Sequence, residues 1–187
     1  MPAQLNSHDF EDMYKDLGYD INKLGCIMLD LEPQTFKINE SVLYYAKNKD
    51  HFWIDGNVAA KTPHVTLLFG LLRSGDELKK HVDTVLPTDK LPKDVTIDHV
   101  GFFESPLDDE PYYCIVAHVK VTKEVAEARA RLSFLPHIDT FAEYKPHFTL
   151  CYIKKNARIR DTLIGKLDDY LKGETIKATG INYGGDK

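Results

Sequence analysis

With 187 residues, 43% of them hydrophobic and 28% charged, the chain has the make-up of one folded domain, not of a disordered or fibrous protein. Its net charge of −5 argues against a protein that coats long nucleic acid, whereas a pocket for a small phosphate needs only a few local cations. The longest apolar run, residues 65–72, already contains Gly70 and falls short of the about 18 residues that a membrane span requires. The acidic N-terminal stretch has no apolar segment of the secretory kind, so the cytoplasm is the expected compartment. Cys26, Cys114 and Cys151 are odd in number, sit in apolar runs and form no C-x-x-C pair, which points to reduced, buried thiols.

Taken in chain order, residues 25–31 (GCIMLDL) read as a strand ended by Glu32-Pro33. Residues 40–49 carry a weak helical pattern, followed by the turn signal Asp55-Gly56-Asn57. Residues 64–70 form an apolar strand, and a helix is expected over 76–85, stopped by Leu86-Pro87. Two further strands, 95–104 and 112–121, flank the acidic, proline-bounded loop 105–111, which predicts a hairpin. The best helical periodicity spans 123–135, with Thr122 as its cap and Val125, Ala128, Arg129 and Leu132 on one side. A strand at 147–153, a helix at 156–171 ending at Gly173, and a strand at 174–183 complete the chain. Strands dispersed among helices, with hairpins, predict an α+β fold of mainly antiparallel sheet. No linker or low-complexity tract divides it, so residues 1–187 are expected to form a single domain.

Two of these strands are alike. They read Pro63-His64-Val65-Thr66-Leu67 and Pro146-His147-Phe148-Thr149-Leu150, with the histidines 83 positions apart. One such match would carry little; a repeated pentapeptide is a strong signal. Residues i and i+2 of a strand share a face, so each histidine projects with its threonine while Val65 and Leu67, or Phe148 and Leu150, turn to the core. The preceding proline cannot donate to a sheet and suits a strand entrance beside a cleft.

Histidine, with an unperturbed pKa of about 6.5, can give or take a proton near neutrality, and two of them can act as base and acid. Threonine hydroxyls can donate to the non-bridging oxygens of a phosphate as charge builds there. The quartet suits phosphodiester transfer without a metal. Two histidines on separate strands lack zinc-ligand spacing and a third ligand, and no phosphate-binding glycine loop occurs. The remaining histidines, His8, His51, His81, His99, His118 and His137, are read as ordinary core or surface residues.

Paired H-x-T strands about 80 residues apart resemble the two-histidine (2H) phosphoesterase superfamily, and the element order from Gly25 to Ile153 fits it. The resemblance implies two related α+β lobes of mainly antiparallel sheet around a central cleft, with His64, Thr66, His147 and Thr149 as catalytic residues and no cofactor. Residues 1–24 are then a candidate lid over the cleft. Within the superfamily, PHVTLLFGL looks most like the phage anti-CBASS nucleases, which degrade cyclic di- and trinucleotide messengers of bacterial immunity such as 3′3′-cGAMP. The alternatives are an RNA 2′,3′-cyclic phosphodiesterase or 2′,5′-RNA ligase-like enzyme, and a cyclic-nucleotide-binding sponge without turnover.

A nucleotide substrate would need aromatic platforms and a few polar groups. The candidates are Tyr14 and Tyr19 in the polar N-terminal segment, Trp53 beside the Asp-Gly turn, Phe103 at a strand end, Tyr144 and Lys145 before the second motif, and Tyr183 near the C-terminus. Glu104 and Glu143 are further candidates for reading a base edge. The basic cluster at residues 154–160 reads as a solvated helix start. A compact cyclic di- or trinucleotide is the expected partner, with no membrane and no long nucleic acid; the sequence carries no signal for an oligomeric state.

Overall fold

The computed structural model describes residues 15–20, 23–32, 63–104, 112–139, 141 and 143–184. The expected helix at 40–49, turn at 55–57 and acidic loop at 105–111 lie outside these residues, as do Tyr14 and Trp53. The described elements are β1 (Gly25–Leu31), β2 (His64–Leu71), α1 (Lys79–Val85), β3 (Asp94–Glu104), β4 (Tyr112–Val119), α2 (Lys123–Leu132), β5 (His147–Lys154), α3 (Arg160–Leu171) and β6 (Thr175–Gly184). The strands fall where the apolar runs predict them, and Thr122 caps α2 by accepting from the Val125 amide at 3.3 Å.

The helices are shorter than periodicity predicts, each for a local reason. Ahead of α1, the Ser74 hydroxyl accepts from the Glu77 amide at 3.3 Å and closes a separate turn. At the end of α2, the Ser133 hydroxyl donates to the Arg129 carbonyl at 2.9 Å and the chain tightens through Phe134 N–H to Arg131 O. Ahead of α3, a short turn at Lys155–Ala157 leads to Arg158 in the left-handed region (φ 51°), so the helix starts only at Arg160.

The six described strands form one antiparallel sheet in the order β2-β1-β6-β3-β4-β5, an α+β fold as expected. The final strand serves both halves: Ala178 to Gly184 pair with β1, and Thr175 to Lys177 with β3. Although β2 and β5 stand at opposite ends of this order, they pack against each other. The sheet therefore curls around its core. Val65, Leu67 and Leu68 of β2 share that core with Phe148, Leu150 and Ile153 of β5. Helix α2 covers β2 with Val125, Ala128 and Leu132, and α3 covers β3 and β4 with Leu163, Leu167 and Leu171. Burying these apolar side chains contributes about 1.5–3 kcal/mol each, before the cost of ordering the chain.

The two motif strands share a local irregularity that strict alternation does not predict. Pairing of β2 with β1 steps from Met28–Thr66 to Ile27–Leu68, leaving Leu67 as an extra residue. Pairing of β5 with β4 steps from Val116–Thr149 to Ile115–Cys151, leaving Leu150. Each is a β-bulge, and each falls on the last leucine of the repeated pentapeptide. The bulge lets two consecutive residues turn inward, so Leu67 with Leu68, and Leu150 with Cys151, are all buried. The face carrying His and Thr continues beyond it through Phe69 in one strand and Tyr152 in the other. Even the prolines match: the carbonyls of Pro63 and Pro146 accept from Leu31 and Val119 of the neighbouring strand, both at 2.9 Å.

Candidate functional site

The register fixes what stands beside each motif. His64 lies opposite Asp30 of β1, and His147 lies opposite His118 of β4. The Nδ1 of His147 is 2.7 Å from the carbonyl oxygen of Lys145. A carbonyl only accepts, so Nδ1 carries the proton and Nε2 is left as the nitrogen that can exchange one. The Thr149 hydroxyl lies 3.8 Å from the Cys114 sulfur, on the strand face that His147 also occupies.

A cavity of about 450 Å³ draws residues from both motif strands: Thr66 and Phe69 from β2, and His147 from β5. Phe103, Tyr144 and Arg129 complete much of its wall, with Lys145 at its edge. His64 and Thr149 do not line this cavity, although each shares a strand face with a residue that does. Tyr144 ties the two strands together, because its hydroxyl donates to the Thr66 carbonyl at 3.0 Å. Burial pushes its phenol up to about 12, against the pull of Arg129, so it remains a donor at neutral pH. The two Arg or Lys side chains among the cavity's described lining residues are each paired: Arg129 with Asp139 at 3.3 Å, and Lys145 with Glu143 at 3.2 Å. Arg129 is the better fixed, since it also donates to the Leu67 carbonyl at 3.2 Å and lies 4.3 Å over the Tyr144 ring. Such a guanidinium can meet a phosphate with little loss of freedom.

A second cavity of about 440 Å³ adjoins the first and shares Phe103, Tyr144 and Lys145 with it. Its far wall holds His99 and His118, whose rings are stacked with centroids 4.4 Å apart. His118 is pushed down to about 4, first by burial and then by its neighbours His99, His147 and Lys145, against the pull of Asp98, so its ring is neutral at pH 7. Phe103 meets both His118 and His147 edge-on, at 5.6 and 4.8 Å.

The structure thus brings Thr66, His147, Phe103, Tyr144 and Lys145 of the expected residues to one place, with Glu143 at the rim. Tyr183 is elsewhere: its hydroxyl donates to Asp83 of α1 and Lys79 sits over its ring, so it lines neither cavity. Tyr19 is half-buried and lines neither, and the same holds for exposed Glu104. Tyr14 and Trp53 lie outside the described residues. In the basic cluster, Arg160 stacks over Phe102 at 4.4 Å and pairs with Asp161 at 2.8 Å, while Lys155 lies over Tyr113 at 5.7 Å. None of its four cations lines either cavity. Of the expected thiols, Cys151 is buried, whereas Cys26 and Cys114 are only half-buried; burial raises all three above the ordinary thiol range.

Sequence reasoning passed over Arg129, His99 and His118. Arg129 had a signal, because it is a charge set among Val125, Ala128 and Leu132 on the inward side of a helix. The two histidines had none; only the register of β3 against β4 puts them together.

A family model for the 2′-5′ RNA ligase superfamily matches residues 30–182. Among solved structures, Usb1 of Kluyveromyces marxianus matches with a TM-score of 0.54 at 10% identity, over 87% of this chain and 94% of that one. The same protein with uridine monophosphate gives a TM-score of 0.51 at 11% identity, with the same coverage. No curated protein matches the sequence significantly. At such identity the likeness to Usb1 is one of fold, while the family match spans both H-x-T strands. The chain belongs to the 2′-5′ RNA ligase superfamily of two-histidine phosphoesterases, and it is an enzyme of the phosphodiesterase class.

Proposed function

We propose that this phosphodiesterase cleaves the 3′–5′ linkages of cyclic di- and trinucleotides such as 3′3′-cGAMP, and so disarms CBASS antiphage defence in a bacterial cytoplasm. The observation that carries the site assignment is the joint lining of one cavity by Thr66 of the first motif and His147 of the second. His64 and His147 act as the proton-transfer pair, and Thr66 and Thr149 donate to the phosphate. One histidine takes the proton of the ribose 2′-OH as that oxygen attacks phosphorus. The other gives a proton to the departing 5′ oxygen. The product carries a 2′,3′-cyclic phosphate, which water opens in a second step with the proton roles reversed. Arg129 and Lys145, which line the same cavity, are the cations available to a diester charge.

A compact substrate is supported by the charge layout. Among the described residues the Arg and Lys side chains on the cavity walls are Arg129 and Lys145, and the cluster at 154–160, which could track a polynucleotide, lines neither cavity. A second reading, an RNA 2′,3′-cyclic phosphodiesterase or other RNA end-processing enzyme, is favoured by the fold likeness to a protein solved with uridine monophosphate. Both histidines and both threonines are retained, which disfavours a sponge.

The test is incubation of the purified chain with 3′3′-cGAMP in EDTA, followed by chromatography, beside the His64→Ala, His147→Ala double variant. Cleavage by the wild type and a loss of at least ~10²–10⁴-fold in the variant are expected. Opening of a 2′,3′-cyclic RNA end, with 3′3′-cGAMP untouched, would move the assignment to RNA processing; tight binding of 3′3′-cGAMP without turnover would leave the sponge.

A further inference from the structure

We infer that the second cavity, between Phe103, His118, His99 and Val121, is a base-binding subsite that takes the nucleobase of the nucleotide next to the one whose phosphate meets His147. The inference rests on the diester reading of the first cavity. Phe103, Tyr144 and Lys145 line both cavities and form the divide between them, and Lys145 is the cation common to both, open to a phosphate that links two bases. From that divide a run of rings leads away: His147, Phe103 at 4.8 Å, His118 at 5.6 Å from Phe103, then His99 stacked at 4.4 Å. Flat π-surfaces of this kind hold bases by stacking, with little regard to sequence.

The chemistry of the cavity favours a base over a second phosphate. The described cation on its wall is Lys145 at the divide, while Asp98 places a carboxylate beside His99, 2.8 Å from its Nδ1. The His118 ring is neutral at pH 7, so it adds an aromatic surface without a positive charge that would call for a second phosphate. Its position is built into the neighbouring strand: a Cβ at Gly101 would come within 3.0 Å of His118 Nε2. The absence of a side chain at Gly101 lets the ring lie close across β3.

The test uses the full chain carrying His147→Ala, so that binding is read without turnover, in calorimetric titrations with 3′3′-cGAMP and with uridine monophosphate. Val121 is 55% exposed, so Val121→Glu puts a carboxylate at the cavity mouth with little risk to folding; His99→Ala removes the outer ring. Each added substitution is expected to weaken 3′3′-cGAMP binding about tenfold. Uridine monophosphate, filling the first cavity alone, should lose less than about twofold. Unchanged 3′3′-cGAMP affinity in both variants, or an equal loss for both probes, would overturn the subsite. If the parent binds uridine monophosphate but not 3′3′-cGAMP, the cyclic substrate fails, and the same comparison with the linear dinucleotide UpA decides the subsite. A parent that binds none of the three overturns both.

Discussion

Tyr144 illustrates how much of the cleft hangs on single side chains. Its hydroxyl reaches from the approach to β5 across to the Thr66 carbonyl of β2, and its ring carries the Arg129 guanidinium. Tyr144→Phe keeps the ring and removes the hydrogen bond, leaving a part-buried carbonyl without that donor. A stability loss of about 1 kcal/mol is expected in thermal or urea unfolding. An unchanged midpoint would mean that the bond does not hold the two strands. His147 depends on a similar local device. The Lys145 carbonyl fixes its tautomer, so the residue two positions upstream, through its backbone alone, decides which nitrogen meets substrate.

Among elements, β2 shows how a strand end can matter to a site formed further along the same strand. Gly70 has φ 101°, a conformation that side chains rarely adopt, and its carbonyl accepts from the Ile138 amide at 2.8 Å. The segment after α2 therefore lies directly on the end of β2, with Leu71 bridging His137, and it leads to Asp139 and Phe141 on the cavity wall. A Cβ at position 70 would run into the Ile138 carbonyl. Gly70→Ala should lower stability by more than about 1 kcal/mol and raise KM for a nucleotide substrate, because Phe141 would be pushed away from Phe69. Steady-state kinetics beside a thermal melt would check both effects; an intact KM would mean the segment plays no part in binding.

At the scale of the whole molecule, His118 couples the site to folding. Its folded-state pKa is depressed from 6.5 to about 4, so between those values the unfolded chain binds a proton that the folded chain refuses. The stability associated with the neutral ring is complete above pH 6.5 and is lost as the pH falls towards 4. Melting temperatures measured across that window should fall less steeply in His118→Asn than in the wild type. Parallel curves would show that burial of His118 costs nothing on folding.

What the sequence determined by itself was local. Apolar runs marked every described strand, Thr122 marked a cap, and the repeated pentapeptide singled out His64 with Thr66 and His147 with Thr149, the histidines 83 positions apart, because a strand's period of two puts His and Thr on one face whatever surrounds them. The helix starts were less legible, since Ser74 and Arg158 compete with helix through hydrogen bonding and backbone conformation that periodicity does not register. Tertiary structure alone decided that β2 and β5, at opposite ends of the sheet order, would meet. It also set the bulges that turn Leu68 and Cys151 inward, and the register that places His118 beside His147. These depend on how a curled sheet packs around a shared core, and pairing between distant strands leaves no mark in the local pattern of either one.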